Sequence, residues 1–364
     1  MRRGLVALAL LAAACDHPLR AADPKVGVRL PRDHAAHGDA QTEWWHFHGH
    51  LVGEDGRRRD FFLGFVKQHT DLDRVALLPV RWFVDPFQVA YFTVTDRDAK
   101  TFHVREKHAF PDTWAAGARE DRLDLRHDSW RARARPDGSV DLSAATRHER
   151  LDLRLTPARP PALLGDRGYV RFPPRSDHYY YSIPRMTAEG TLTAGGKKVA
   201  VAGEAWLKHQ WGFLYHEGVR GWVWFGAQLS TGQQLEIGLV YDHDWNLLAG
   251  SFAYVEEEDG ALAAIPLAEL GVAESGATWR SPRTGTVYPT GWILTIPGRG
   301  QLVLEAAVDG QEMVVFPANL WAGAMTVAGD FDGEPAVGDC FTEVVGLDEP
   351  FGRALLETGK PAGK

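Results

Sequence analysis

Leu151, Leu153 and Leu155 alternate with Arg150, Asp152 and Arg154, and upstream Leu123 and Leu125 alternate with Asp124 and Arg126. Successive side chains leave a strand on opposite faces, so a period of two marks a strand buried on one side and wet on the other. A helix cannot satisfy that spacing. Residues 61–66, 75–84 and 87–94 are β-branched and aromatic runs of strand length. Turn pairs at Asp137-Gly138, Gly195-Gly196, Thr231-Gly232, Asp259-Gly260, Gly298-Arg299-Gly300 and Asp309-Gly310 punctuate the chain at hairpin-like intervals. Helical periodicity is weak, and residues 266–270 alone read as a short helix. The fold class is therefore all-β and antiparallel, and 364 residues are ample for two domains.

The formal net charge of −8 leaves no basic footprint, so nucleic acid is not expected as a partner. The first residues differ in kind from the rest. Met1-Arg2-Arg3-Gly4 is a charged lead, residues 5–14 are apolar, and Ala12-Ala13-Ala14 precede Cys15, which together predict a cleaved secretory signal. The apolar run is too short to span a bilayer, which needs about 20 residues. Small residues before Cys15 resemble a bacterial lipobox, although Leu11 stands four positions before the cysteine where three is usual; simple cleavage after Ala14 is the alternative. Asp16 resembles an inner-membrane retention signal. The expectation is an exported, periplasmic lipoprotein held at the inner membrane by a lipid on Cys15. Cys340 would then have no intramolecular partner. Residues 16–39 read as a flexible polar linker, and residues 351–364 as a tail.

Within residues 203–229 the chain packs Trp206, Trp211, Trp222 and Trp224 with His209, His216, Glu204, Phe225 and Gln228. A second such motif is Glu43-Trp44-Trp45-His46-Phe47-His48-Gly49-His50, and a third is His178-Tyr179-Tyr180-Tyr181-Ser182. Aromatic side chains beside ionisable ones suit either an ordinary aromatic core or a half-apolar cavity wall, because indole N–H and phenol O–H groups need partners. The polar, glycine-containing stretch at residues 216–220 interrupts two aromatic runs and marks a domain boundary, giving an N-terminal domain at 40–216 and a C-terminal domain at 217–350.

These motifs, together with Gly-Glu-Ala-Trp at 203–206, His-x-Trp-Gly at 209–212, Trp-x-Trp-Phe at 222–225 and weaker echoes at 320–323 and 340–346, resemble the lipocalin-like carotenoid 1,2-hydratase (CrtC/AttH-like) family. The resemblance covers about residues 41–346. It implies two consecutive lipocalin-like antiparallel β-barrels with an aromatic-lined junction. It also implies cofactor-free handling of long isoprenoids by hydration, isomerisation or cyclisation.

Such chemistry needs a protonated carboxylic acid in an apolar setting and aromatic faces for a developing cation, each face worth roughly 0.5–2 kcal/mol. Glu43 and Glu204 lie inside the motifs and are the first candidates for the acid, with Asp242, Asp244 and His209 in support; a hydrogen-bonded structural carboxylate is the plain alternative. Trp44, Trp45, Tyr180, Tyr181, Trp206, Trp211, Trp222, Trp224, Phe225 and Gln228 are the expected ligand contacts. One departure weakens the hydratase expectation, because Lys208 stands where relatives carry an aspartate before the histidine. Exposed, Lys208 would be a solvated ammonium; buried, its pKa would fall and it could act as a base or Schiff-base nucleophile. His46, His48 and His50 share a strand face at metal-chelating spacing, but no carboxylate or cysteine cluster completes a set, and no metal or cofactor is expected. Two functions follow: an enzyme acting on a hydrophobic molecule by acid–base chemistry, or a periplasmic carrier of such a molecule serving an export system.

Overall fold

The computed structural model describes residues 19–69, 74–75, 78–79, 86–109, 116–172, 177–213, 218–316 and 318–350. The leader with Cys15, most of residues 75–84, His216 and the tail lie outside the described residues. The described chain forms two curled antiparallel sheets. In the first, eleven strands make a near-closed barrel in the order Thr101–Ala109, Phe87–Asp96, Arg58–Gln68, Thr42–Gly53, Lys197–Gly212, His178–Ala194, Arg150–Pro157, Val140–Ala145, Trp130–Ala134, Asp124–His127 and Ala116–Ala118. The second is a half-barrel whose centre is Gln234–Tyr241, Gly221–Leu229, Glu334–Val345 and Leu320–Phe331.

Local chemistry sets these elements. Arg150–Pro157 buries its three leucines and exposes Arg150, Arg154 and Thr156, as the alternation requires. His178–Ala194 turns into Lys197–Gly212 through Gly195 and Gly196 at φ +56° and +76°, the left-handed pair of a two-residue hairpin. Residues 266–270 form a turn closed onto the Pro266 carbonyl instead of the expected helix. Residues 19–39, expected as a loose linker, are packed against the barrel: a 3-10 turn at Arg32–His34 buries Asp33, and Val28, Ala35, Ala36 and Ala40 are buried beside it.

Strand pairing brings the separate motifs together. Trp45 lies opposite His209 and His46 opposite Lys208, while Tyr181 and Ser182 flank the same two residues from the other side. In the half-barrel Trp224 lies opposite Glu343. Each sheet has its own core, one around Trp45, Phe47, Leu63 and Leu153, the other around Phe225, Leu235, Trp292 and Trp321. A third cluster, with Phe62, Trp206, Trp224 and Phe341, joins them. Polar pins reinforce that junction: Asp339 accepts from Arg58 at 2.6 Å and Arg97 at 2.8 Å, and Gln228 Nε2 donates to the Pro184 carbonyl at 2.8 Å.

Candidate functional site

Alternation divides every aromatic motif between two environments. On Thr42–Gly53, Trp45, Phe47 and Leu51 enter the barrel core, whereas Trp44 and His46 face the half-barrel. On His178–Ala194, Tyr181 and Ile183 point inward and Tyr180 and Ser182 outward; on Lys197–Gly212, His209 and Trp211 point inward and Trp206 and Lys208 outward. On Gly221–Leu229, Phe225 and Ala227 enter the half-barrel core while Trp222 and Trp224 face the barrel. Between the two outward faces lies a cavity of about 170 Å³. Its wall is mostly apolar, and Trp44 and Trp222 stack in it with ring centroids 6.5 Å apart. Gly226 keeps the Trp224 ring in place, since a Cβ there would come within 2.2 Å of the indole.

The polar groups of this wall form two adjoining sets. In one, Lys208 Nζ donates to Glu343 Oε1 at 2.7 Å and sits 3.8 Å over the Trp224 ring. His46 Nδ1 is 3.4 Å from the same carboxylate oxygen. Burial lowers the Lys208 pKa from its ordinary value. Burial alone would raise that of Glu343, but Lys208 and His46 hold it well below the usual carboxylate range. In the other set, Glu236 accepts from Ser182 Oγ at 2.6 Å, from Trp224 Nε1 at 3.2 Å and from the Tyr180 hydroxyl. All three donors are neutral. Lys208 is engaged with Glu343, and burial lifts the Glu236 pKa above the ordinary carboxylate value despite those hydrogen bonds. Tyr180 and Trp224 line the cavity and Glu236 stands directly behind them.

Glu43 and His209 occupy a different place, at the junction of the barrel with the N-terminal segment. Glu43 accepts from the His37 backbone N–H at 2.9 Å, His37 Nδ1 at 2.7 Å and His209 Nε2 at 3.0 Å, and pairs with Lys67 at 2.9 Å. Burial opposes its charge, but Lys67, His37 and His209 hold the carboxyl well below its ordinary pKa. It is thus an ionised, saturated carboxylate and not the proton donor expected from the sequence. His209, stacked on Trp45 at 4.6 Å, is driven down to about 4 by burial and stays neutral. His37 is raised to about 9, because Glu43 and Asp33 outweigh its burial. Ligand atoms of His37, Glu43 and His209 lie within 4.8 Å of one another. The Lys67 ammonium on the same carboxylate would repel a cation, so the set fits a clasp on the N-terminal segment and not a metal centre.

The remaining expectations separate clearly. Trp44, Tyr180, Trp222 and Trp224 line the cavity. Trp45, Tyr181 and Trp211 belong to the barrel interior, Phe225 to the half-barrel core, and Gln228 bonds the two sheets. Trp206 is buried between the sheets beside the cavity. Glu204, the favoured acid, is 44 % exposed and pairs with Arg185 at 3.3 Å, where the strand register shifts between Ile183 and Met186. Asp242 closes a surface turn, accepting from the backbone N–H groups of Asp244 at 2.9 Å and Asn246 at 2.8 Å. Lys208, for which an exposed position was the ordinary expectation, is 4 % exposed. His46, His48 and His50 diverge: His46 faces Glu343, His48 stacks on Phe341 at 4.5 Å, and His50 bonds Asp60 at 2.7 Å. Glu236 is not among the residues expected from the sequence. It alternates with Leu235 and Ile237, a pattern normally read as a wet outer face, and here that face meets the other sheet.

The AttH-like family model matches residues 21–347. A Nitrosomonas europaea crystal structure assigned to AttH is 25% identical, covers 91% of this chain and 100% of its own, and superposes with a TM-score of 0.80. Kievitone hydratase from Nectria haematococca shares the fold at 16% identity, with a TM-score of 0.71 over 91% of this chain and 98% of that one. CghA in complex with Sch210972 does so at 13% identity and a TM-score of 0.50, over 85% of this chain and 89% of that one. No curated protein matches the chain by sequence. The match along nearly the whole described chain places this protein in the AttH-like family.

Proposed function

We propose that the protein binds an apolar small molecule in the cavity between the sheets and transforms it by proton transfer, with Glu236 as the proton store and Tyr180 as the group that presents the proton. The observation that carries this reading is the buried Glu236 carboxyl, held by three neutral donors and with no cation at ion-pair distance among the described residues, directly behind a cavity-lining tyrosine. A carrier of neutral molecules has no use for such a group, since burying it costs stability unless it stays protonated. Protonated, Glu236 donates to the Tyr180 oxygen while the tyrosine hydroxyl turns to the ligand. The faces of Trp44 and Trp222 attract the positive charge that protonation of a double bond creates. Glu343, ionised and paired with Lys208, gives the same wall a fixed dipole. The hydratase name of the Nectria haematococca protein and the Sch210972 bound to CghA accord with small-molecule chemistry in this fold.

The leader, with its charged lead and its apolar run ending at Cys15, supports a site for this chemistry outside the cytoplasm, on a lipid-anchored protein. Cys15→Ala is expected to release the mature chain from membranes, and unchanged membrane attachment would contradict the anchor. For the reaction, the test is mass spectrometry of the small molecule that copurifies, extracted before and after incubation with fresh protein. Conversion supports the enzyme; an unchanged molecule supports a carrier.

A further inference from the structure

Behind Glu236, on the side away from the main cavity, is a second and much smaller void of about 10 Å³, lined by Glu236, Gln234, Glu256, Trp206 and Leu262 among others. That volume is on the scale of a single water. Three polar atoms of its lining residues have no protein partner among the described residues: Trp206 Nε1, Gln234 Oε1 and Glu256 Oε2. Their residues are 1 %, 1 % and 3 % exposed. Orphaned polar atoms this deeply buried are costly, and all three belong to residues that line one void. Register explains the convergence. Gln234 lies opposite Glu256 and Glu236 opposite Tyr254, so both carboxylates sit on one face of adjacent strands at diagonal positions. On the far side Glu256 lies opposite Leu262, which lines the void and is 37 % exposed.

We propose that Glu256 and water held in this void form the proton entry that recharges Glu236 from solvent. The inference rests on the reading of Glu236 as the proton store. Each proton that Glu236 passes toward the cavity through Tyr180 is replaced by one moving from solvent to the Glu256 carboxyl, from there to the water and from the water to Glu236; no oxidation state changes, and one proton enters for each that leaves. The entry is separate from the substrate side, so an apolar molecule filling the main cavity does not block it. The groups facing Glu256 are Arg159 and Arg185, which favour its charge, and Glu236, which opposes it; burial is the largest influence and lifts its pKa to about 7, where a carboxyl exchanges protons in both directions near neutral pH.

The test needs no substrate, because Trp224 donates to Glu236 and its fluorescence reports the protonation of that carboxyl. After a rapid jump from alkaline to mildly acidic buffer, the intact protein is expected to show a fluorescence phase that Glu236→Gln abolishes. Glu256→Gln keeps the shape of the side chain and is expected to slow that phase roughly a hundredfold, the low end of what a positioned proton-transfer group contributes, with its amplitude unchanged. Gln234→Leu, which removes one partner of the water, is expected to slow it as well. An unaltered rate in folded Glu256→Gln overturns the entry path while leaving Glu236 as the store. A phase that persists in Glu236→Gln, or none in the intact protein, overturns the store and the path with it.

Discussion

Lys208 of the barrel and Glu343 of the half-barrel meet at 2.7 Å across the junction, each almost wholly buried. Two charges taken out of water are tolerated only as a pair, and removing one strands the other. Lys208→Met is therefore expected to destabilise the fold by about 3–5 kcal/mol, as is Glu343→Leu, whereas the double variant loses far less than the sum. Denaturant titrations of the four proteins give the coupling directly. An additive double variant would mean that the pair does not tie the sheets together.

Glu236 is expected to behave in the opposite way. Its pKa is raised in the folded state, so its contribution to stability is present below the ordinary carboxylate value and lost as pH rises through the raised one. Glu236→Gln removes that loss. The variant should melt at or above the temperature of the parent near neutral pH, and the gap should close on acidification. A variant less stable at neutral pH would show that the carboxylate is ionised and structural.

The clasp at the N-terminal segment carries a second pH signature. His37 is raised from 6.5 to about 9, so its stabilisation is complete below its ordinary value and disappears as pH rises toward 9. Glu43 is lowered, so its part is present above the ordinary carboxylate range and disappears in acid. Melting temperature should accordingly decline on the alkaline side in the parent and stay flat there in His37→Gln. Hydrogen exchange at residues 28–40 should quicken over the same alkaline interval.

Strand parity predicts which tryptophans report ligand and which hold the fold. Trp44→Ala and Trp222→Ala widen the cavity wall and should weaken quenching by an apolar ligand with little loss of stability. Trp45→Ala hollows the barrel core and should cost ~3–5 kcal/mol. Fluorescence titration and thermal melts of the same variants separate the two classes; equal destabilisation at Trp44 and Trp45 would contradict the division.

Much of this arrangement was legible from the residues alone. The leucine alternation at 151–155, the Gly195-Gly196 hairpin and the aromatic motifs pointed to the all-β class, and the family resemblance pointed to the aromatic junction. What could not be read was which face of each strand meets the other sheet. Trp44 and Trp45 are neighbours in sequence and occupy different compartments, and the same ambiguity made Glu43 and Glu204 look like acids. Glu236 was hidden because a glutamate alternating with aliphatic residues normally faces water, and only the packing of two curled sheets turns that face inward. The N-terminal segment looked loose because its anchors, Asp33 and His37, find their partners through contacts far from any strand pattern.

The most direct test of the central claim is incubation of the purified protein with its copurifying small molecule in heavy water, followed by mass spectrometry of the extracted molecule. Proton delivery from Glu236 through Tyr180 predicts that the parent builds deuterium into a carbon-bound position of the product, while Glu236→Gln binds the same molecule and leaves it unlabelled. Equal labelling by the two proteins, or none by the parent, would contradict the account.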